Sequence, residues 1–103
     1  MIGRLWHGMC APADADAYED HLRRATLPAL RKIAGYEGGY VLRREAGGGG
    51  VDFLVLTLWA SLDAVRAFAG DDYELAVVPP EAERLLVHFD ERAVHYDVAL
   101  APE

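Results

Sequence analysis

The sequence predicts a single α+β domain in which two helices cover one face of a four-stranded antiparallel sheet. Its segments follow the order β-α-β-β-α-β, and its 103 residues fall within the usual size of one domain. That order is the split βαβ, or ferredoxin-like, arrangement. A third observation, an inner strand that is apolar on both sides, predicts that a second copy of the chain completes the structure.

Proline and glycine residues mark where the first strand and the first helical region end. Ile2–Cys10 is a run of bulky residues that stops shortly before Pro12, and Pro12 suits the first turn of a helix. Pro28 conflicts with this helix because it lacks a donor and clashes with the preceding turn, so we expect a kink, or a second short helix over Pro28–Ile33. Gly35 ends the helical region. The apolar positions at helical spacing are Tyr18, Leu22, Ala25 and Ala29.

Two further strands form a predicted hairpin. Tyr36–Ala46 and Val51–Trp59 both read as strands, and Gly47–Gly50 joins them. Consecutive glycines suit a flexible hairpin connection. A phosphate-binding loop is the alternative, but such a loop leads from a strand into a helix, whereas a strand follows here.

The second helix begins at Ser61, an N-cap candidate, and ends at Gly70. The sequence then predicts a short helix over Tyr73–Val77, which must end before Pro79, and one more helical turn over Glu81–Leu85. One long strand interrupted near Asp90 by a turn or bulge completes the sheet; its two parts are Leu86–Phe89 and Arg92–Leu100.

The third strand predicts a partner for the sheet. A strand buried on both faces reads as a continuous apolar run, yet the helices cover only one face. A bare second face would expose a large apolar patch, and the simplest cover is an identical chain related by a two-fold axis. We expect Trp6 to lie on that dimer face and His7, at the opposite parity, to meet the helices. The apolar positions of the third strand are Phe53, Leu54, Val55, Leu56, Leu58 and Trp59.

Composition limits the possible partners and the compartment. The chain has 10 Lys and Arg against 17 Asp and Glu, a net charge of −7, which disfavours nucleic acid and anionic membranes because both require a basic surface. No segment reads as a transmembrane helix, and Met1–Cys10 lacks the apolar core of a signal peptide, so we expect a cytoplasmic protein. The single cysteine, Cys10, is interpreted as a buried or idle thiol rather than a catalytic one.

Several local strings resemble one family. Together with the order of elements, they are similar to the antibiotic biosynthesis monooxygenase-like domains of the dimeric α+β barrel superfamily, and the resemblance covers nearly the whole chain. The Trp-x-Ser junction between the third strand and the second helix is the most specific piece. The strings are Arg4-Leu5-Trp6-His7-Gly8, Ala15-Asp16-Ala17-Tyr18, Gly35-Tyr36-Glu37-Gly38-Gly39-Tyr40, Leu58-Trp59-Ala60-Ser61 and Ala67-Phe68.

The resemblance implies a homodimer packed sheet to sheet, with a ligand cavity between helices and sheet in each protomer. It also implies one of several activities. Some members oxidise phenolic polyketides with molecular oxygen and no metal or flavin, others degrade haem, and others act on small quinol-like metabolites. The haem-degrading members share a triad of one Asn, one Trp and one His. The corresponding positions in this chain are His7, Phe68 and about Val78. All three positions depart from that pattern, so haem degradation is disfavoured.

Two residues are the candidates for catalysis. His7 interrupts an apolar strand and shares a face with Leu5 and Met9, so a buried imidazole there could act as a general base. A structural His that is hydrogen-bonded across the sheet is the alternative. Tyr73 follows the second helix, where its hydroxyl could donate to a substrate oxygen; otherwise it is an aromatic anchor.

The candidate ligand-binding residues are mostly aromatic. His88 and His95 are seven residues apart on an interrupted strand, so either could line the cavity, while His21 stands among charged helix residues and is expected to be solvated. The scattered histidines and the lone cysteine predict no metal site. The proposed lining of the cavity is Leu5, Trp59, Phe68, His88 and His95.

These observations lead to two hypotheses. The first is a cofactor-independent, monooxygenase-like enzyme that acts on a small phenol or quinol, with His7 as the base and no cofactor. The second is a non-catalytic homodimer that binds a small ligand or is purely structural. Two polar groups that converge on one cavity would favour the enzyme, whereas an apolar cavity would favour binding and a filled core a structural role.

Overall fold

A computed structural model describes residues 1–102 and contains one antiparallel sheet. The order across the sheet is β2-β3-β1, and both β4 and β5 pair with the free edge of β1. β1 and β3 are fully paired along nine positions, and β2 and β3 form the predicted glycine-linked hairpin. The strands are β1 Ile2–Cys10, β2 Tyr36–Glu45, β3 Val51–Trp59, β4 His88–Phe89 and β5 Val94–Asp97.

The last two strands act as one interrupted strand, as the sequence predicted. Between β4 and β5, the backbone of Arg92 forms a bridge with Leu75, and the N–H of Ala76 donates to the carbonyl of Glu91 at 2.9 Å. The predicted short helix over Tyr73–Val77 is therefore wrong. Its backbone pairs with the segment that interrupts the strand, and those hydrogen bonds replace helical ones.

The first helical region bends around Pro28. A 3₁₀ turn leads into α1, a π-type turn follows, and α2 completes the region. The N–H of Leu27 donates to the carbonyl of Leu22, five residues back, so the wider turn accommodates the ring and missing donor of Pro28. The expected second short helix exists, but it begins and ends earlier than predicted. The bounds are Pro12–Asp14 for the 3₁₀ turn, α1 Ala15–His21, Leu22–Thr26 for the π turn and α2 Leu27–Leu30.

The second predicted helix begins and ends where the sequence predicted. α3 covers Leu62–Ala69, and the Ser61 hydroxyl accepts from the N–H of Ala64 at 3.2 Å as its N-cap. α4 is a single turn at Pro80–Glu83, so the turn predicted over Glu81–Leu85 exists but begins and ends earlier. The backbone before β2 passes so close to α3 that a Cβ at Gly35, which has a φ of +90°, would lie 2.5 Å from that of Ala64.

The helices lie on one side of the sheet, here called the inner face. Two aromatic clusters form its core. Phe53 meets Tyr18 edge to face, with ring centroids 4.9 Å apart. Trp59, which is fully buried, stacks on Phe68 at 5.5 Å and meets Tyr36 edge to face at 5.2 Å.

The predicted assignment of the two faces is reversed. Arg4, Trp6 and Cys10 of β1 point to the inner face, and His7 points to the opposite, outer face. The pattern of β1 has bulky residues at both parities, so periodicity alone could not say which set meets the helices.

The outer face is apolar and uncovered in the single chain. Residues opposed in the ladders project to the same side, which places Tyr40 beside Leu56 and Leu42 beside Leu54. Tyr40 is 55% exposed and Leu42 is 52% exposed. The inference that β3 carries apolar side chains on both faces is thus confirmed: helices cover one set and solvent meets the other.

Candidate functional site

A cavity of about 80 Å³ lies between the inner face and the helices, at the junction of the two aromatic clusters. Its walls come from β1, β3, the first helical region, α3 and the segment that precedes α4. Most of the lining is apolar, and the side chains that define its shape are Trp6, Tyr18, Leu30, Val55, Phe68 and Val78. Four polar side chains interrupt this lining, namely Arg4, His21, Thr26 and Thr57.

His21 is the first polar group of interest. It lines the cavity, and its Nε2 atom is buried and has no hydrogen-bond partner within residues 1–102. The ring lies nearly parallel to that of Tyr18, with centroids 6.5 Å apart. The expectation that His21 is solvated is therefore wrong. A buried nitrogen without a partner is costly, so this atom has an unmet need for a ligand group or a water molecule.

Arg4 is the second polar group, and it is only 5% exposed. Its Nη1 donates to the carbonyl of Tyr73, and its Nη2 donates to the carbonyl of Leu75 at 3.1 Å. Nη1 also lies 3.0 Å from His95 Nε2, and the guanidinium carbon lies 5.6 Å from the Phe68 ring centroid. Burial lowers the pKa of Arg4, and no carboxylate of residues 1–102 forms an ion pair with it.

His95 and Tyr73 lie beside Arg4, but both line a separate surface pocket rather than this cavity. The Nε2 atom of His95 must accept from the guanidinium, so its proton is on Nδ1, which is buried without a partner in the described chain. Burial lowers the pKa of His95, the Arg4 cation lowers it further, and Glu74 opposes both. The Tyr73 ring meets the His95 ring edge to face at 5.1 Å. The structure therefore brings two of the predicted residues together, through an arginine that sequence reasoning had not selected.

The other sequence-predicted residues divide between the two faces. Phe68 lines the cavity, and Trp59 stacks behind it, with the indole N–H donating to the Thr57 hydroxyl at 2.9 Å. Leu5, His7 and His88 lie on the outer face, away from the cavity.

His7 makes a cross-strand contact there. Its Nε2 lies 3.2 Å from Asp52 Oδ1, and its ring centroid is 6.2 Å from that of His88. This is the alternative that the sequence left open for His7, a hydrogen bond across the sheet. The location contradicts its predicted place beside a substrate between sheet and helices.

A sequence signal for the two missed residues exists. His21 lies three residues after Tyr18 and one before Leu22, both of which are buried, so helical spacing places it on the apolar side of α1. Arg4 shares the parity of Cys10 in β1, but only the correct choice of inner face would have selected it.

Two further observations concern the described residues 1–102. None of their helices is long and apolar enough to cross a membrane. They contain no group of three or more His, Cys, Asp or Glu side chains placed to hold a metal ion.

Comparison with solved structures identifies the fold. Neither a protein-family model nor a curated protein sequence matches the chain. A Bacillus cereus protein assigned to the antibiotic biosynthesis monooxygenases superposes with a TM-score of 0.66 at 15% identity, over 99% of this chain and 94% of the other. The Streptomyces coelicolor monooxygenase ActVA-Orf6, in complex with nanaomycin D, gives 0.62 at 18% identity, over 99% and 92%. The chain has the antibiotic biosynthesis monooxygenase fold.

A haem-binding protein shares this fold. The haem degrader MhuD of Mycobacterium tuberculosis, with two haems in its active site, gives a TM-score of 0.61 at 19% identity, over the whole of both chains. In the present chain, Phe68 and Val78 line a cavity of about 80 Å³. Pockets for drug-sized ligands measure roughly 300–1,000 Å³, so this cavity suits a far smaller molecule than haem.

Proposed function

We propose that the chain is a cofactor-independent monooxygenase that oxidises a small phenol- or quinol-type metabolite in the inner-face cavity. The observation that carries the proposal is the buried Nε2 of His21, which has no hydrogen-bond partner within residues 1–102 and lies at the wall of a mostly aromatic and aliphatic cavity. An imidazole ionises near neutral pH and can act as a general base. His21 therefore replaces His7 as the candidate base.

The first step is a proton transfer. The hydroxyl of the bound phenol donates to His21 Nε2 and then loses its proton to that atom, which leaves a phenolate and an imidazolium. The Tyr18 ring lies nearly parallel to the imidazole, with centroids 6.5 Å apart. Because the cavity is largely apolar, the imidazolium and the phenolate attract each other more strongly than they would in water.

The second step consumes molecular oxygen. The phenolate transfers one electron to O₂, and the two radicals recombine at a ring carbon that carries hydrogen, forming a carbon–oxygen bond. The peroxide takes the proton back from His21, and the hydroperoxide loses water to give a carbonyl. One oxygen atom remains in the product and the other leaves as water, so the four electrons that O₂ accepts all come from the substrate.

The chain's own contribution is to bind the ring and to exclude water. Phe68, Trp6 and Val55 present flat or branched apolar surfaces to the cavity. Exclusion of water protects a radical pair and strengthens electrostatic contacts within the site. The small volume limits the substrate to no more than one aromatic ring.

The test is oxygen consumption by the purified chain with a panel of one-ring phenols and quinols. We expect turnover with at least one of them, and we expect His21→Ala to reduce it by about 10²–10⁴-fold, the usual contribution of a general base. The comparison variant is His7→Ala, which removes an imidazole from the outer face and should retain activity. A protein that binds these compounds but never consumes oxygen would be a ligand-binding module instead.

We further propose that the chain works as a homodimer through the outer face. Tyr40, Leu42, Val94 and Tyr96 are each about half exposed there, and such a contiguous apolar surface is typical of an interface. Leu42→Asp should convert a dimer to a monomer in sedimentation equilibrium. Leu100→Asp, which changes an almost fully exposed leucine, is the matched control. A monomeric wild-type chain at micromolar concentration would refute the dimer.

A further inference from the structure

We infer that Arg4 makes the inner-face cavity selective for a ring that carries one negative charge, as a phenolate or a carboxylate. The inference uses the same cavity as the proposed function, but it concerns binding and does not require oxygen chemistry. It deepens that proposal by naming the charge of the ligand and the residue that recognises it.

Arg4 carries a buried positive charge that no carboxylate of residues 1–102 balances. Arg4 is 5% exposed, and an arginine keeps its charge in proteins. A buried charge is costly unless a partner compensates it, and buried ions are normally paired. The partners of Arg4 are two carbonyls, a neutral imidazole and the face of the Phe68 ring, none of which carries a net negative charge. The cavity is therefore adjacent to a desolvated cation with no counter-ion in the described chain.

Arg4 also has more hydrogen-bond donors than its neighbours use. A guanidinium has five N–H donors in a planar fork. In Arg4, three of these donors contact Tyr73, His95 and Leu75. The remaining donors, including Nε–H, make no hydrogen bond within residues 1–102, and Arg4 lines the cavity. A carboxylate or a phenolate oxygen is the acceptor that such a fork binds most strongly.

The neighbours of Arg4 hold its guanidinium in one orientation. Arg4 and His95 are directly opposed in the β1–β5 ladder, and the carbonyls of Tyr73 and Leu75 hold the other edge of the guanidinium. The Phe68 ring lies below the guanidinium carbon at 5.6 Å and also lines the cavity. A ring stacked in this cavity would thus meet a cation that does not have to move, which lowers the entropy cost of binding.

A purely structural role for Arg4 makes a different prediction. The arginine also ties the segment at Tyr73–Leu75 to the sheet, and a tie needs no preference among ligands. Ligand selectivity in the wild-type chain therefore separates the two roles without any substitution. The probes are benzoate, its neutral isostere benzamide, and 4-nitrophenol, whose phenolate is coloured and which ionises near neutral pH.

The experiment measures dissociation constants by calorimetry and the ionisation of bound 4-nitrophenol by absorbance. We expect benzoate to bind at least tenfold more tightly than benzamide, and the apparent pKa of bound 4-nitrophenol to fall by about one unit or more. Tighter binding of benzoate than of 4-nitrophenolate would identify a carboxylate ligand, and the reverse order a phenolate. Both outcomes support the inference. Equal affinity for benzoate and benzamide, or no binding of any probe, would overturn it.

Substitutions of Arg4 test whether this residue causes the preference for benzoate. Arg4→Gln should remove the preference for benzoate, Arg4→Lys should retain part of it, and Arg24→Gln, which changes an exposed helix arginine, should leave it intact. If Arg4→Gln does not fold, the wild-type measurements still decide the question. If the wild-type chain prefers anions but consumes no oxygen, only the proposed oxygenation is refuted. If it consumes oxygen but does not prefer anions, only this inference is refuted.

Discussion

The guanidinium of Arg4 and the imidazole of His95 meet across the β1–β5 ladder, with Nη1 3.0 Å from Nε2. This contact requires a neutral imidazole, because only an unprotonated nitrogen can accept from the guanidinium. Protonation would place two cations against each other in a partly buried site. The pair therefore links the position of Arg4, and the anion site that we infer for it, to the protonation of His95.

The first prediction is that acid weakens the fold through His95. Burial and the Arg4 cation hold its folded-state pKa below the ordinary value of 6.5, so the unfolded chain binds the proton more readily. This contribution to stability is complete above about pH 6.5 and declines as the pH falls from there toward the folded-state pKa. Urea denaturation between pH 7.5 and 5 should show a fall that is smaller in His95→Gln. Identical pH profiles for the two proteins would contradict the assignment.

The second prediction concerns the close approach of Gly35 to α3. Gly35→Ala adds a Cβ at a φ of +90° and 2.5 Å from Ala64 Cβ, so both backbone strain and overpacking oppose it. We expect a loss of about 2–4 kcal/mol in the free energy of unfolding. Gly47→Ala is the control, since a Cβ there meets nothing within 4 Å, and it should change stability by less than about 1 kcal/mol. Equal effects of the two substitutions would refute this view of Gly35.

Much of the fold could be predicted because local signals coincide with element ends. Ile2–Cys10 and Val51–Trp59 are strands over the predicted residues, and Ser61 and Gly70 bound α3 as expected. The prediction was wrong at Tyr73–Val77, where long-range backbone pairing to residues 91–93 outweighs the local helix propensity. Such pairing leaves no local trace in a sequence.

The candidate site was harder to predict, for one physical reason. β1 carries large side chains at both parities, so the sequence determines the alternation but not which parity faces the helices. Choosing His7 over Trp6 transferred the site to the wrong face and hid Arg4. Phe68 was found because it lies on α3, and its selection does not depend on which face of β1 meets the helices.

The third prediction is that Cys10 is unreactive in the folded chain. The side chain is completely buried, and burial, assisted by Asp14 and opposed by Arg43, raises the pKa of the thiol to about 11. Because the thiolate is the reactive species, an aromatic disulfide reagent at pH 8 should modify almost none of the native protein. The same reagent should titrate one thiol per chain in denaturant. Rapid labelling of native protein would show that this part of the core opens.

The final prediction separates the cavity from the rest of the surface. Val78 lines the cavity, so Val78→Phe should fill much of its roughly 80 Å³ and prevent a ring from entering. We expect binding of benzoate and oxygen consumption to fall together by at least tenfold, while the far-ultraviolet circular dichroism is unchanged. Val87→Phe adds the same atoms at a side chain that is 65% exposed, and it should leave both measurements as they are in the wild type. If Val78→Phe keeps full affinity, the ligand binds elsewhere, and both the oxygenation and the anion selectivity would have to be sought outside the inner face.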